Sequence, residues 1–146
     1  MNKPIYIHYG SDHFDKQMLI DSVAVSKDNG IGKPTGLWAS RVDAEYGWKQ
    51  WCIGAEFAIG NLKNSFKFTL SDKARILEIN CMSDIAPYEI KTEFGFKLLD
   101  MEALHKQYDG IELYISAVPR WEFNIFSAWD CDSIVVWNTD VIQVIE

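Results

Sequence analysis

Ser133-Ile134-Val135-Val136-Trp137-Asn138-Thr139-Asp140-Val141-Ile142 is the stretch whose reading decides the fold. Residues 133–137 are a β-branched run closed by an aromatic and are too short for a stable helix, so they read as a buried strand. Asn138-Thr139-Asp140 carries turn chemistry, and 141–145 makes a further strand behind it. Working back, 110–116 is a strand, and the short helix before it, over 101–108, is stopped by Asp109-Gly110. Residues 66–70 and 75–79 are strands joined by Ser71-Asp72-Lys73, and are expected to pair as a hairpin. Pro87 and Gly95 make 82–98 irregular with a helical turn, and 117–130 is an aromatic loop. At the other end, 4–9 is a strand and 14–25 a helix, with apolar residues at Phe14, Met18, Leu19 and Val23. Lys27 to Gly36 is turn-rich, and 36–40 is a strand. Ser40 or Asp43 then caps a helix carrying Tyr46, Trp48, Trp51, Ala55 and Phe57. The sum is α+β, with about seven mostly antiparallel strands and about three helices packed on them.

The chain has 146 residues, 48% apolar and 24% charged, which fits one globular domain over 1–146 and excludes disorder as a description of the whole. No apolar run approaches the ~18 residues that span a bilayer, and the N-terminus runs directly into a strand pattern, so no membrane partner and a cytoplasmic protein are expected. Fourteen Lys and Arg stand against 21 Asp and Glu, for a formal charge of −7. The basic residues are scattered, which argues against a sequence-blind binder of polyanions. Cys52, Cys81 and Cys131 are odd in number and far apart, as in a protein of reduced thiols. No histidine stands at zinc-site spacing from them, so no metal is expected. Aromatic residues are plentiful, at 14% with six tryptophans.

No nucleophile elbow, Walker loop or H-E-x-x-H is present. Gly30, Gly32 and Gly36 lie between a helix and a strand, the reverse of a dinucleotide fingerprint, and read as a loop turning back into the sheet. Three clusters remain. His8-Tyr9-Gly10-Ser11 closes the first strand, where Gly10 breaks it; His8 is either structural or faces a cleft. Lys33-Pro34-Thr35-Gly36-Leu37-Trp38-Ala39-Ser40 offers Trp38 as a packed residue or a stacking wall, and Ser40 as a helix cap or a ligand contact. Trp129-Asp130-Cys131-Asp132-Ser133 sets two carboxylates at i and i+2, which in extended chain point the same way. They serve either as turn formers or as a site.

Taken together these clusters resemble ADP-ribosyltransferases of the diphtheria-toxin and poly-ADP-ribose-polymerase type. His8-Tyr9-Gly10-Ser11 is similar to the His-Gly-[Ser/Thr] opening strand of that family. Gly36-Leu37-Trp38-Ala39-Ser40 is similar to its second strand, which carries a small hydroxyl residue and leads into a helix with a Tyr. His105-Lys106-Gln107-Tyr108-Asp109-Gly110-Ile111 resembles its "helix, Tyr-Asp-Gly-Ile, strand" passage, and residues 133–142 resemble its last strands. The motifs follow in the family's order over most of the chain. The resemblance implies a mostly antiparallel split β-sheet sandwich and NAD as substrate. It also implies that His8 bonds the adenosine-side ribose, that the backbone near Tyr9 and Gly10 grips the carboxamide, and that Tyr46 stacks on the nicotinamide. Asp132 or Asp130 would stabilise the oxocarbenium-like ribose, and Ser40 would support that acid. Trp38 and Ser133 complete the implied cofactor set.

Aligning the Val-Val-aromatic run puts Ser133 where the family carries its catalytic Glu, and Thr139 replaces the commoner Pro. The implied function is mono-ADP-ribosylation of a macromolecule by a bacterial or phage effector, toxin or anti-defence factor. A protein acceptor is favoured, and the net charge disfavours a nucleic-acid acceptor. The alternative is a catalytically inactive domain of the same fold that binds a nucleotide or blocks a partner through Trp121-Glu122-Phe123.

Overall fold

A computed structural model describes residues 3–28, 33–95, 97–117, 125–126 and 128–145. Trp121-Glu122-Phe123 and the glycines at 30 and 32 lie outside the described residues. Among the described residues three helices, α1 (Lys16–Val25), α2 (Trp48–Ala55) and α3 (Met101–Gln107), accompany nine strands. These are β1 (Tyr6–Tyr9), β2 (Leu37–Arg41), β3 (Ser65–Leu70), β4 (Ile76–Ile79), β5 (Glu89–Lys91), β6 (Lys97–Leu99), β7 (Gly110–Leu113), β8 (Ser133–Val136) and β9 (Ile142–Ile145). Seven strands form one sheet in the order β4-β7-β8-β2-β1-β3-β9, and β5 and β6 form a small hairpin apart from it. All the pairings are antiparallel except β4 with β7. The protein is therefore α+β with a mostly antiparallel sheet. Among the described residues no helix is long and apolar enough to cross a membrane.

One pairing departs from the sequence reading. β3 and β4 do not form a hairpin across Ser71-Asp72-Lys73 but lie toward opposite ends of the sheet. The turn there is real, since the Ala74 N–H donates to the Ser71 carbonyl at 3.0 Å. Its strands, however, find other partners: β3 is taken on both edges by β1 and β9, and β4 runs parallel to β7.

Register divides the sheet into two faces, because side chains alternate along each strand. One face carries Leu37, Ala39, Ile134 and Val136 with Tyr6, Phe66 and Phe68, covered by Leu19 of α1. The other carries Ile79, Ile111, Leu113 and Val135, packed against Leu104 of α3, Phe126 and Trp129. β7 and β8 are buried along their whole length, which explains their unbroken apolar runs. Glu112 is the exception. Its carboxylate is held by Arg41 Nη2 at 2.7 Å and Nε at 2.9 Å, and it accepts from the Tyr6 hydroxyl at 3.3 Å.

The Tyr108-Asp109-Gly110-Ile111 passage has a structural role. The buried Asp109 carboxylate accepts from the Arg75 backbone N–H at 2.8 Å and from the Asn138 side-chain amide at 2.9 Å. It thereby ties the start of β4 to the turn after β8. Gly110 packs so closely on β8 that a Cβ would collide with the Val135 carbonyl.

The sheet also parts at one seam. β1 pairs with β2 only at Tyr6↔Arg41 and Ile7↔Ser40, whereas it follows β3 as far as Tyr9↔Ser65. β2 turns instead to β8 over Leu37 to Ala39. Beyond Ile7 and Ser40 the two neighbouring strands therefore have different partners, and a cleft opens between them.

Candidate functional site

A cavity of about 290 Å³ occupies that cleft, at the low end of the range for small-molecule sites. Its walls come from five parts of the chain. β1 supplies His8 and Tyr9, β2 supplies Trp38 and Ser40, and α2 with the turn after it supplies Trp48 and Phe57. Asp130, Cys131 and Ser133 close it from the β8 side, and Lys33 stands at the end of the glycine-rich stretch.

His8 Nδ1 lies 2.6 Å from the Trp38 carbonyl, a bond that replaces the ladder bonding lost where the strands part. A carbonyl only accepts, so Nδ1 carries the proton, and in the neutral ring Nε2 is left as an acceptor. Trp38 joins several walls at once. Its ring meets Trp129 edge-on at 4.5 Å, and its Nε1–H donates to the Pro34 carbonyl at 3.2 Å. Trp129 is 4% exposed, and its indole nitrogen has no hydrogen-bond partner among the described residues.

Ser40 fastens the other side. Its hydroxyl donates to the Asp132 carbonyl at 2.7 Å and accepts from the Trp48 N–H at 3.0 Å. It therefore serves the start of α2, as the sequence suggested, but it does so from a neighbouring strand; the residue in the cap position is Gly47. Because α2 begins at Trp48, Tyr46 precedes the helix. The residue is 38% exposed and outside the cavity lining, while its carbonyl accepts from the Asp132 N–H at 2.9 Å. The aromatic ring that α2 presents to the cavity is Trp48, stacked on Trp51 at 5.0 Å.

The two candidate acids part company. Asp130 lines the cavity with His8, whereas Asp132 does not. Asp132 Oδ1 accepts from the Ile115 N–H at 2.7 Å, and the residue lines a separate 250 Å³ hollow with Arg41, Glu112 and Tyr114. The expectation that both carboxylates share a direction requires extended chain. A bend at 131–132 breaks the alternation just before β8 begins. Ser133 reaches the cavity, with its hydroxyl donating to the Cys131 carbonyl at 3.1 Å. Burial pushes the Cys131 thiol up to about 11, and the carboxylates on either side add to this, so it is neutral and a poor nucleophile at pH 7. Gly10 takes φ +105°, the left-handed backbone for which glycine suits this position, and its N–H donates to the Asn64 carbonyl at 2.9 Å. Of the Tyr9-Gly10 pair, it is Tyr9 that lines the cavity.

Among the wall residues, Phe57, Ala58 and Asn61 had no sequence signal as site residues. Phe57 and Ala58 enter the cavity because Glu56 and Ala58 adopt left-handed backbone, φ 53° and 50°, on either side of Phe57. Neither is a glycine or asparagine, the residues that announce such a turn. Comparison of the chain with protein-family models, with curated proteins and with solved structures finds no match.

Proposed function

We propose that the protein is an NAD-dependent ADP-ribosyltransferase acting on a protein acceptor, with the cavity between β1 and β2 as its dinucleotide site. The observation that carries this reading is the meeting of His8, Ser40, Asp130 and Ser133 around one cleft. They come from the same segments on which the family resemblance rests.

The chemistry follows from the groups present. Breaking the bond from the ribose C1′ to the nicotinamide nitrogen leaves the electron pair with a neutral leaving group and positive charge on the sugar. The Asp130 carboxylate would stabilise that charge, and His8 Nε2 would accept from a ribose hydroxyl. The indoles of Trp38, Trp48 and Trp129 give flat rings an apolar wall. An acceptor nucleophile would then attack C1′, forming the new bond to the sugar and releasing its proton to solvent. Ser40 would act as a positioning residue, since its hydroxyl is already engaged with Asp132 and Trp48.

Ser133 favours a second reading. It stands in the cavity at the point where the resemblance calls for a glutamate, so the same site would serve a domain that binds a nucleotide without breaking it.

The test is labelled NAD with the purified protein and cell lysate, using wild type, His8→Ala, Asp130→Asn and Asp132→Asn. Label on a lysate protein with wild type and Asp132→Asn, but with neither of the others, is the expected result. NAD lost without label on any acceptor would identify a glycohydrolase instead. Absence of consumption, transfer and calorimetric NAD binding would end the NAD reading.

A further inference from the structure

We propose that Lys33 is the anion-binding residue of the cavity and that it selects ligands carrying a phosphate or pyrophosphate. The inference rests on the NAD reading but concerns a contact that neither the motifs nor the resemblance assigns. Lys33 lines the cavity, and among the described lining residues it is the sole lysine or arginine, with Asp130 the sole carboxylate. Its Nζ lies over the Trp38 ring, 4.6 Å from the centroid.

The backbone that follows Lys33 is tied down by its next two residues. Pro34 is fully buried and bridges Asp28 in antiparallel fashion, and the Thr35 N–H donates to the Lys27 carbonyl at 3.0 Å. The Pro34 carbonyl accepts from Trp38 Nε1. Lys33 is thus referenced to Trp38 through the ring face and the next residue's carbonyl, as His8 is through the Trp38 carbonyl. A ligand whose sugar reaches His8 brings its phosphates within the neighbourhood of the same tryptophan. The chain carries a net charge of −7, so a pyrophosphate entering beside Asp130 meets repulsion unless a cation is built into the wall. The indole face holds the ammonium at the cavity wall by a weak cation–π contact, and an ammonium meets phosphate oxygens by charge-assisted hydrogen bonds.

The experiment is calorimetric titration of the full chain with ADP, NAD and adenosine, for wild type, Lys33→Met and Lys33→Arg. Methionine keeps an apolar stem over Trp38 and removes the charge. Losing a charge-assisted contact at a partly solvated site corresponds to about a 5–30-fold rise in Kd for ADP and NAD. Adenosine binding is expected to change less than twofold, and arginine to restore most of the loss. Equal weakening of adenosine, unchanged ADP binding by Lys33→Met, or no ADP binding by wild type would each overturn the proposal. If ADP binding depends on Lys33 while NAD is neither consumed nor transferred, Lys33 stands and the transferase reading falls. Transfer with an unchanged KM in Lys33→Met would leave the transferase reading standing and overturn the role of Lys33.

Discussion

Replacing Ser40 with alanine tests whether the hydroxyl that joins α2 to the segment before β8 holds the site in shape. Ser40 is 3% exposed and makes two hydrogen bonds, to the Asp132 carbonyl at 2.7 Å and from the Trp48 N–H at 3.0 Å. The variant leaves a carbonyl and the first N–H of α2 without their partner. A lost cap costs about 1 kcal/mol, and a polar group left unsatisfied costs about 1–3 kcal/mol, less where water reaches it as it does at half-buried Trp48 and Asp132. The expected loss is about 2–3 kcal/mol, against a total stability of about 5–15 kcal/mol. At roughly 2–4 °C per kcal/mol for a domain near this size, Tm falls by about 4–12 °C. Urea unfolding should show a lower midpoint at an unchanged slope. Gly47 makes the second arm. A Cβ there would lie 2.9 Å from Ser40 Cβ and 3.2 Å from Ala44 Cβ, so Gly47→Ala strains the same junction. The two changes should therefore combine non-additively, with a coupling of at least about 0.5 kcal/mol. A loss below about 0.5 kcal/mol for Ser40→Ala, or strict additivity of the pair, would refute the bridging role.

Three further outcomes are expected. Asp109→Ala removes the acceptor shared by Arg75 and Asn138, and should cost about 3 kcal/mol in urea unfolding, with Asp109→Asn losing less because one acceptor remains. Arg41→Met leaves the Glu112 carboxylate buried without its guanidinium and should cost about 3–5 kcal/mol. The double change with Glu112→Leu should recover part of that loss, and equal instability of the two variants would refute the pairing. Burial first, and then Lys27, lower the pKa of His105, whose ring stacks on Trp137 at 4.6 Å. The unfolded chain therefore takes up this proton more readily than the fold does, so the contribution is present above pH ~6.5 and lost as pH falls below it. The stability gap between wild type and His105→Gln should narrow in that acid window, as measured by unfolding at stepped pH, and a constant gap would refute it.

What the sequence makes legible is local. Residues 133–137 announce β8 because a β-branched run with no helical period has few other options, and the burial of every residue of β8 bears that out. Turn chemistry announces the bend at 71–73, but it cannot say which strands the flanking segments will join. That choice was settled by β1 and β9 for one and by β7 for the other. The same limit governs the site. His8, Trp38, Ser40 and Ser133 were legible as candidates because strand ends and small residues mark them. The choice between Asp130 and Asp132 was not, because it depends on a two-residue bend with no glycine or proline to signal it. Trp48 stands in the cavity in place of Tyr46 for a comparable reason: α2 starts where the Ser40 hydroxyl accepts the Trp48 N–H, eight residues along the chain from the serine.

The motifs behind the family resemblance therefore divide by what they do. Tyr108-Asp109-Gly110-Ile111 is spent on architecture: Asp109 bonds β4 to the turn after β8, and Gly110 admits β8 at close range. Ser40 likewise has its hydrogen bonds committed within the protein. These positions fasten the sheet of this chain and leave no group for chemistry. Chemistry has to come from polar groups that face the cavity. Among the described lining residues, His8, with one ring nitrogen bonded to Trp38, Asp130 and Lys33, whose ammonium lies over Trp38, are three that carry such groups. In the proposed function, these three groups would meet a sugar, its developing charge and its phosphates. Substitutions at these three residues should alter ligand chemistry while leaving the fold intact, whereas substitutions at Asp109 and Gly110 should do the reverse.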